Sequence, residues 1–122
     1  MKLLAVHHAQ LIVPRGSLAA ARDFYLGVLG LEEIPKPEVL AARGGFWAQL
    51  GAQQIHVNEE DAPLASRRAH VAYLVDDLEA WRARLLALGL TVQDGEPLLG
   101  QRRFEFRDPF DNRVEFLQNL HR

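Results

Sequence analysis

The segment HAQLIV at residues 8–13 recurs as HVAYLV at residues 70–75, so a histidine opens each of two short apolar runs. Each run is followed by a helix-like stretch that ends in Gly-Leu. Further along, Ile-His-Val at 55–57 is matched by Val-Glu-Phe at 114–116. Internal similarity of this kind indicates that the chain is built from two copies of one small unit.

The two copies span about residues 3–58 and 69–118, and an acidic, proline-containing linker over 59–68 joins them. In the first copy, alternating apolar residues predict a strand over 3–13, and the helix that follows it ends near Gly30. Three further strands complete the copy. The second copy repeats the order, and Asp77 is the predicted cap of its helix. We therefore expect an α+β fold of two βαβββ units.

Length and composition limit the classes of protein to consider. At 122 residues the chain has the size of one domain, residues 1–122, and its apolar fraction of 48% is typical of a globular protein. The net charge of −2 gives no reason to expect nucleic acid or a membrane surface as a partner. Without cysteine, any metal must be held by nitrogen and oxygen ligands. We expect a cytoplasmic protein.

Four strands combine apolar residues with one residue that can bind a metal. In the first strand Leu11 and Val13 pack against the helix, which places His8 on the opposite face. The same alternation places three further residues opposite the apolar residues of their strands: His56, His70 and Glu115. If a pseudo-twofold axis relates the copies, the four side chains can converge. Imidazole and carboxylate ligands suit one divalent ion of Zn, Mn, Ni, Co or Fe.

The chain resembles the vicinal oxygen chelate superfamily, which includes glyoxalase I, fosfomycin-inactivating enzymes, extradiol dioxygenases and bleomycin-binding proteins. The resemblance rests on the histidine motif at 8–13, on ARDFYLGVLGL at 21–31, on HVAYLVDDL at 70–78 and on DPFDNRVEF at 108–116. It implies curled mixed sheets that form a cup around a metal ion.

The resemblance also implies which residues hold that ion. His8, His70 and Glu115 match the family's ligands, and His56 stands where glyoxalase I carries a fourth ligand, a glutamate. In the family the metal acts on two adjacent oxygens of the substrate. Glu115 or His56 is then the candidate catalytic base. Ile12 replaces a basic residue that holds glutathione in glyoxalase I, which argues against lactoylglutathione lyase activity.

Several assignments have alternatives. His7 competes with His8, Glu115 could be a surface carboxylate, and His56 is a metal ligand, a base or a substrate contact. Two aromatic residues, Trp47 and Phe106, either line a substrate pocket or fill the core. A constant offset of 59 residues between the two copies pairs them with each other. Three arginines are candidate anchors for an anionic substrate, although exposed arginines often have no such role: Arg43, Arg67 and Arg103.

The leading hypothesis is a glyoxalase-like divalent-metal enzyme that acts on a small oxygen-rich substrate as a lyase or isomerase, or as a related transferase or dioxygenase. The alternative is a metal-free protein that binds a small molecule, as bleomycin-resistance proteins do. A structural dimer module is a third class. We expect a homodimer in each case, because relatives of this length commonly complete their cups across a dimer interface.

Overall fold

The computed structural model describes residues 1–61, 68–96, 98 and 100–120. The chain divides into two compact units, residues 1–63 and 64–122. Each unit contains one four-stranded mixed sheet and few helical residues. The predicted α+β fold of two βαβββ units is confirmed.

The first unit follows the predicted order with one added helical turn. Its elements are β1 (His8–Pro14), α1 (Leu18–Arg22) with a π-helical continuation (Asp23–Val28), β2 (Glu32–Ile34), α2 (Glu38–Ala41), β3 (Phe46–Leu50) and β4 (Gln53–Glu60). The strand order is β1-β4-β3-β2. β1 runs parallel to β4, and the other pairs are antiparallel.

The second unit has the same topology. Its elements are β5 (His70–Leu74), α3 (Leu78–Ala87), β6 (Gln93–Asp94), β7 (Gln101–Arg107) and β8 (Arg113–Asn119). The strand order is β5-β8-β7-β6, with β5 parallel to β8. In both units the last strand therefore lies between the first and the third.

Two predicted boundaries differ from the structure. β1 begins at His8, whereas the sequence pattern predicted a strand from residue 3. The register explains the difference: His8 pairs with Gln54, one residue after the start of β4, and the carbonyl of His7 accepts from the amide of Gln54, so residues 1–6 lie beyond the start of the partner strand. β4 continues to Glu60, which places residues 59 and 60 in a strand and not in the predicted linker. Residues 62–67 of that linker lie outside the described part of the chain.

The first helix departs from regular α geometry. The amide of Leu29 donates to the carbonyl of Phe24, five residues earlier, which is the π-helical pattern. The two adjacent aromatic residues Phe24 and Tyr25 are both buried, and their rings meet edge to face at 5.1 Å. We attribute the wider turn to this pair. Ser17 precedes the helix, but its side chain makes no capping bond.

The second helix begins as its sequence predicts. The carboxylate of Asp77 accepts a hydrogen bond from the amide of Ala80 at 3.0 Å, which caps the first turn. Leu78 and Leu85 are fully buried, and Gly89 ends the helix with a positive φ of 86°. No helix in the described ranges combines the length and the apolarity that crossing a membrane requires.

Each sheet buries one face. In the first unit the buried residues alternate along β1, β3 and β4: Val13, Phe46, Ala48, Ile55 and Val57. In the second unit they alternate along β5, β7 and β8: Tyr73, Phe104, Phe106, Val114 and Phe116. We call the opposite side of each sheet its open face. Because side chains alternate along strands, the polar residues between these apolar ones lie on the open face.

Candidate functional site

A stack of three rings covers the open face of the first unit. The rings of His8 and His56 are parallel, with centroids 4.0 Å apart and 12° between their planes. On the other side of His56, the ring of Trp47 lies at 4.1 Å and 6°. His56 is only 5% exposed. The structure therefore brings two of the predicted ligands, and one predicted substrate contact, into direct contact.

The stack keeps His56 neutral. Burial is the main cause that lowers the pKa of His56 to about 4, and electrostatic interactions with His8, His7 and Lys36 act in the same direction. Its Nε2 lies 2.9 Å from the side-chain oxygen of Gln54, a contact that favours the tautomer with the proton on Nε2. A neutral imidazole is suited to bind a metal or to stack on a planar ligand, and it is a weak base.

We expect His56 to make the stability of the metal-free protein depend on pH. The unfolded chain takes up this proton near the ordinary histidine pKa, about 6.5, whereas the folded chain resists protonation until about pH 4. The neutral ring therefore stabilises the fold above pH 6.5, and that contribution is lost as the pH falls towards 4.

The measurement is urea unfolding in EDTA at about pH 7, 5.5 and 4, which spans the two pKa values. The variant His56→Phe retains a flat ring and removes the titrating group. The free energy of unfolding of the wild type should fall relative to that of this variant as the pH decreases. Parallel pH profiles for the two proteins would contradict the lowered pKa.

A second group of polar residues lies on the open face of the second unit. His70 Nε2 is 3.1 Å from Oε1 of Glu115, and His70 Nδ1 is 2.8 Å from the backbone carbonyl of Arg68. Glu115 is buried, with 8% of its surface exposed. Two of the predicted ligands are therefore in contact here as well.

The contact between His70 and Glu115 requires a positive species. The Arg68 carbonyl accepts hydrogen bonds only, so Nδ1 must carry a proton, and in neutral imidazole Nε2 then holds a lone pair. An ionised Glu115 also presents lone pairs. Two acceptors 3.1 Å apart repel each other unless a proton or a metal cation joins them. The carbonyl bond to Nδ1 is also the arrangement that commonly orients histidine ligands of metals.

The other carboxylate oxygen of Glu115 is held by an arginine. Nη1 of Arg103 lies 3.3 Å from Oε2 of Glu115. On the neighbouring strand β7, Glu105 lies directly opposite Glu115. Nε of Arg113 donates a 2.8 Å hydrogen bond to Glu105. Two like charges on neighbouring strands are thus each neutralised by a separate arginine.

These four charged residues line a cavity of about 300 Å³ in the second unit. The remaining lining residues come from the end of β6, the loop that follows it, and β7: Gln93, Asp94, Gly95, Glu96 and Phe104. The cavity has the size of a small ligand and is predominantly polar. It is suited to a compact, oxygen-rich molecule.

The residues fit a divalent metal in part. His70 and Glu115 supply one nitrogen and one oxygen donor at a separation that two neighbouring ligands of one ion can have. His8 and His56 supply two nitrogens, although the ring planes are stacked and Nε2 of His56 faces Gln54. Within the described ranges, no three His, Asp or Glu side chains are grouped as a metal site.

The structure separates the two aromatic candidates. Trp47 lies on the open face, whereas Phe106 is 4% exposed in the core and packs edge to face on Phe116 at 5.1 Å. The constant shift that pairs them is wrong by one residue, because Trp47 stands opposite His56 but Glu105 stands opposite Glu115. A longer turn between β7 and β8 accounts for the change. Phe106 therefore fills the core, which is the second of its two predicted roles.

Of the three arginines, only Arg103 reaches a predicted ligand among the described residues. Arg43 is exposed, and its carbonyl accepts from Asn58, whereas Arg67 lies outside the described residues. Sequence reasoning missed Glu105 and Arg113. The signal was present, because strict alternation with Phe104 and Phe106 assigns Glu105 to the same face as Arg103.

Comparison with known proteins agrees with this architecture. The sequence profile of the Glyoxalase/Bleomycin resistance protein/Dioxygenase superfamily matches residues 5–116. No curated protein sequence is significantly similar to the chain.

Among solved structures, a glyoxalase family protein from Bacillus anthracis is 38% identical, with 98% of each chain covered and a TM-score of 0.90. Two others share the fold at lower identity. The fosfomycin resistance protein FosX from Listeria monocytogenes, in complex with Mn(II) and sulfate, is 20% identical over 98% of this chain and 92% of its own, with a TM-score of 0.76. Lactoylglutathione lyase from Agrobacterium tumefaciens is 23% identical over 93% and 92%, with a TM-score of 0.72.

Proposed function

Because the chain belongs to the glyoxalase/bleomycin resistance protein/dioxygenase superfamily, we propose that it is a divalent-metal enzyme acting on a small substrate with two adjacent oxygens. The proposal is supported by the donors on both open faces and by the polar cavity of the second unit. The solved structure of the Listeria FosX protein contains Mn(II), so the fold can accommodate such an ion.

The contact between His70 and Glu115 is the observation that carries the proposal. It places Nε2 of His70 3.1 Å from Oε1 of the largely buried Glu115, and a backbone carbonyl orients the imidazole. The hydrogen bond at Nδ1 supports the proposal, because in a histidine that binds a metal this bond fixes which nitrogen is free to bind.

The side chains take distinct roles in this proposal. His70 and Glu115 are metal ligands, and we retain His8 and His56 as the other proposed ligands on the strength of the repeat. When bound, the metal would act as a Lewis acid on the two substrate oxygens. The lowered pKa of His56 makes it a weak base, which leaves Glu115 as the proposed proton acceptor. For that step Oε2 of Glu115 would exchange its contact with Arg103 for the substrate proton. Trp47 supplies a flat apolar contact next to the ligands.

The proposal includes several reaction classes. Isomerase or lyase, transferase and dioxygenase chemistry all use adjacent oxygens on a metal, and the residues described here suit each of them. Glutathione conjugates are disfavoured as substrates, because Ile12 stands where glyoxalase I has a basic residue. The homodimer and the cytoplasmic location stay predictions.

Metal content is the test of the proposed function. The untagged wild type, purified without chelator, should contain Zn, Ni, Mn, Co or Fe at close to one ion per chain by elemental analysis, or should bind one on titration. Iron would direct the search towards oxygen chemistry, and manganese towards group transfer. A chain that neither contains nor binds any of these ions would contradict the proposal.

A second candidate is a metal-free protein that binds a planar small molecule. Two observations favour it: Arg103 already neutralises Glu115, and the stack of Trp47, His56 and His8 offers an aromatic surface. Quenching of Trp47 fluorescence by planar cationic drugs, in protein that contains no metal and binds none, would support this candidate. Trp81 lies against Phe116 in the second unit, so Trp81→Phe isolates the signal of Trp47.

A further inference from the structure

We infer that Arg103 is a positioning residue that holds one oxygen of Glu115, restricts this carboxylate to a single-oxygen metal ligand and reduces the affinity for the metal. The inference rests on the proposed function and deepens it. A carboxylate that binds through both oxygens occupies two coordination positions. Restricting it to one leaves a position open for the second oxygen of a substrate.

Arg103 is fixed along its length by contacts on three sides. Its Nε lies 3.3 Å from the carbonyl oxygen of Glu96, and its Nη1 lies 3.3 Å from Oε2 of Glu115. Gly95 leaves room for the side chain, since a Cβ there would lie 2.9 Å from Nε and 3.1 Å from Cγ of Arg103. The backbone of Gly95 does not have a positive φ, so an alanine here would act on the space that Arg103 occupies and not on the backbone conformation.

The two oxygens of Glu115 therefore have different partners. Oε2 is engaged by Arg103, and Oε1 faces Nε2 of His70. An ion bound to Oε1 would also lie close to a permanent positive charge. Because the side chain of Glu115 is only 10% exposed and that of Arg103 29%, the repulsion between that charge and a divalent ion is only partly screened.

Arg113 is a matched control for this role. It lines the same cavity and carries the same charge, but it pairs with Glu105 and not with Glu115. Loss of Arg113 changes the charge of the cavity equally. Only loss of Arg103 frees the second oxygen of Glu115.

The experiment compares Mn²⁺ binding by the wild type and four variants, using isothermal titration calorimetry and water-proton relaxation. Arg103→Met should bind Mn²⁺ at least about fivefold more tightly, and Gly95→Ala should tighten binding in the same direction, because it displaces Arg103. Arg103→Lys, which retains the charge, and Arg113→Met should each stay within about threefold of the wild type. Unchanged or weaker binding by Arg103→Met would overturn the inference.

A metal-free measurement separates this inference from the proposed function. In ¹⁵N-labelled protein with EDTA, the Nε–H signal of Arg103 should shift in Glu115→Gln and in Gly95→Ala, and stay in place in Glu105→Gln. If the Nε–H signal of Arg103 does not shift in Glu115→Gln, the inference is overturned even if the protein binds Mn²⁺. A different outcome is that the Arg103 signal shifts as expected but none of these proteins binds Mn²⁺. That outcome would contradict the proposed function, and with it the effect of Arg103 on metal affinity.

Discussion

Replacing Gly45 by alanine should destabilise the protein by about 3–5 kcal/mol, enough to lower its Tm by more than about 10 °C or to prevent folding. Gly45 has a φ of 80°, a conformation that alanine disfavours by about 1 kcal/mol or more. A Cβ at this position would also collide with the backbone carbonyl of Val57 and lie 2.9 Å from Cγ of Asn58. The carbonyl belongs to β4 and cannot move without disturbing the sheet.

Gly51→Ala is the control for the effect of conformation alone. Gly51 has a φ of 58°, but no atom lies within 4 Å of the position that an added Cβ would occupy, so this variant should cost only about 1 kcal/mol. Thermal unfolding followed by circular dichroism measures both. Equal losses for the two variants would show that the contact with Val57 is not as close as described.

His70→Ala should weaken metal binding by at least about 100-fold, because it removes one of the proposed ligands. It also leaves Oε1 of the buried Glu115 without its partner, at a cost of about 1–3 kcal/mol. His70→Gln separates the two effects, since its amide can still donate to Oε1. Both variants should lose the metal, and His70→Gln should retain more of the stability.

His7→Ala is the matched control for this experiment. His7 is exposed, and its Nδ1 lies 3.1 Å from Nδ1 of His8, so this variant also tests which of the two is the ligand. If His8 binds the ion, loss of His7 should change metal affinity by less than about threefold. Metal affinity is measured by titration of chelator-treated protein with Zn²⁺ or Mn²⁺. Full metal occupancy of folded His70→Ala would exclude His70 as a ligand.

The fold could be predicted from the sequence to a large extent. Period-two alternation and the repeat predicted both βαβββ units, and Asp77 predicted the start of α3. The π-helical continuation of α1 could not be predicted, because it depends on how the adjacent residues Phe24 and Tyr25 are both buried. The start of β1 was missed for a similar reason: it depends on where β4 begins, which is a property of the pairing.

The candidate site was predicted less completely. The alternation of faces assigned His8, His56, His70 and Glu115 to the open faces, and the structure places them there. The contacts between these side chains could not be predicted from the sequence. Whether His56 stacks between two rings, and which oxygen of Glu115 meets Arg103, depends on side-chain directions and on the space left at Gly95.

The position of β4 and β8 in their sheets bears on how the protein folds during synthesis. Each of these strands enters the centre of a sheet whose neighbours were made earlier. β1 therefore leaves the ribosome long before its parallel partner β4 and stays unpaired until β4 is made. The same holds for β5 and its partner β8. Contacts so distant in sequence form slowly and leave apolar strand edges open to other chains until they close. Aggregation of the nascent chain should thus be most sensitive to mutations in the last strand of each unit.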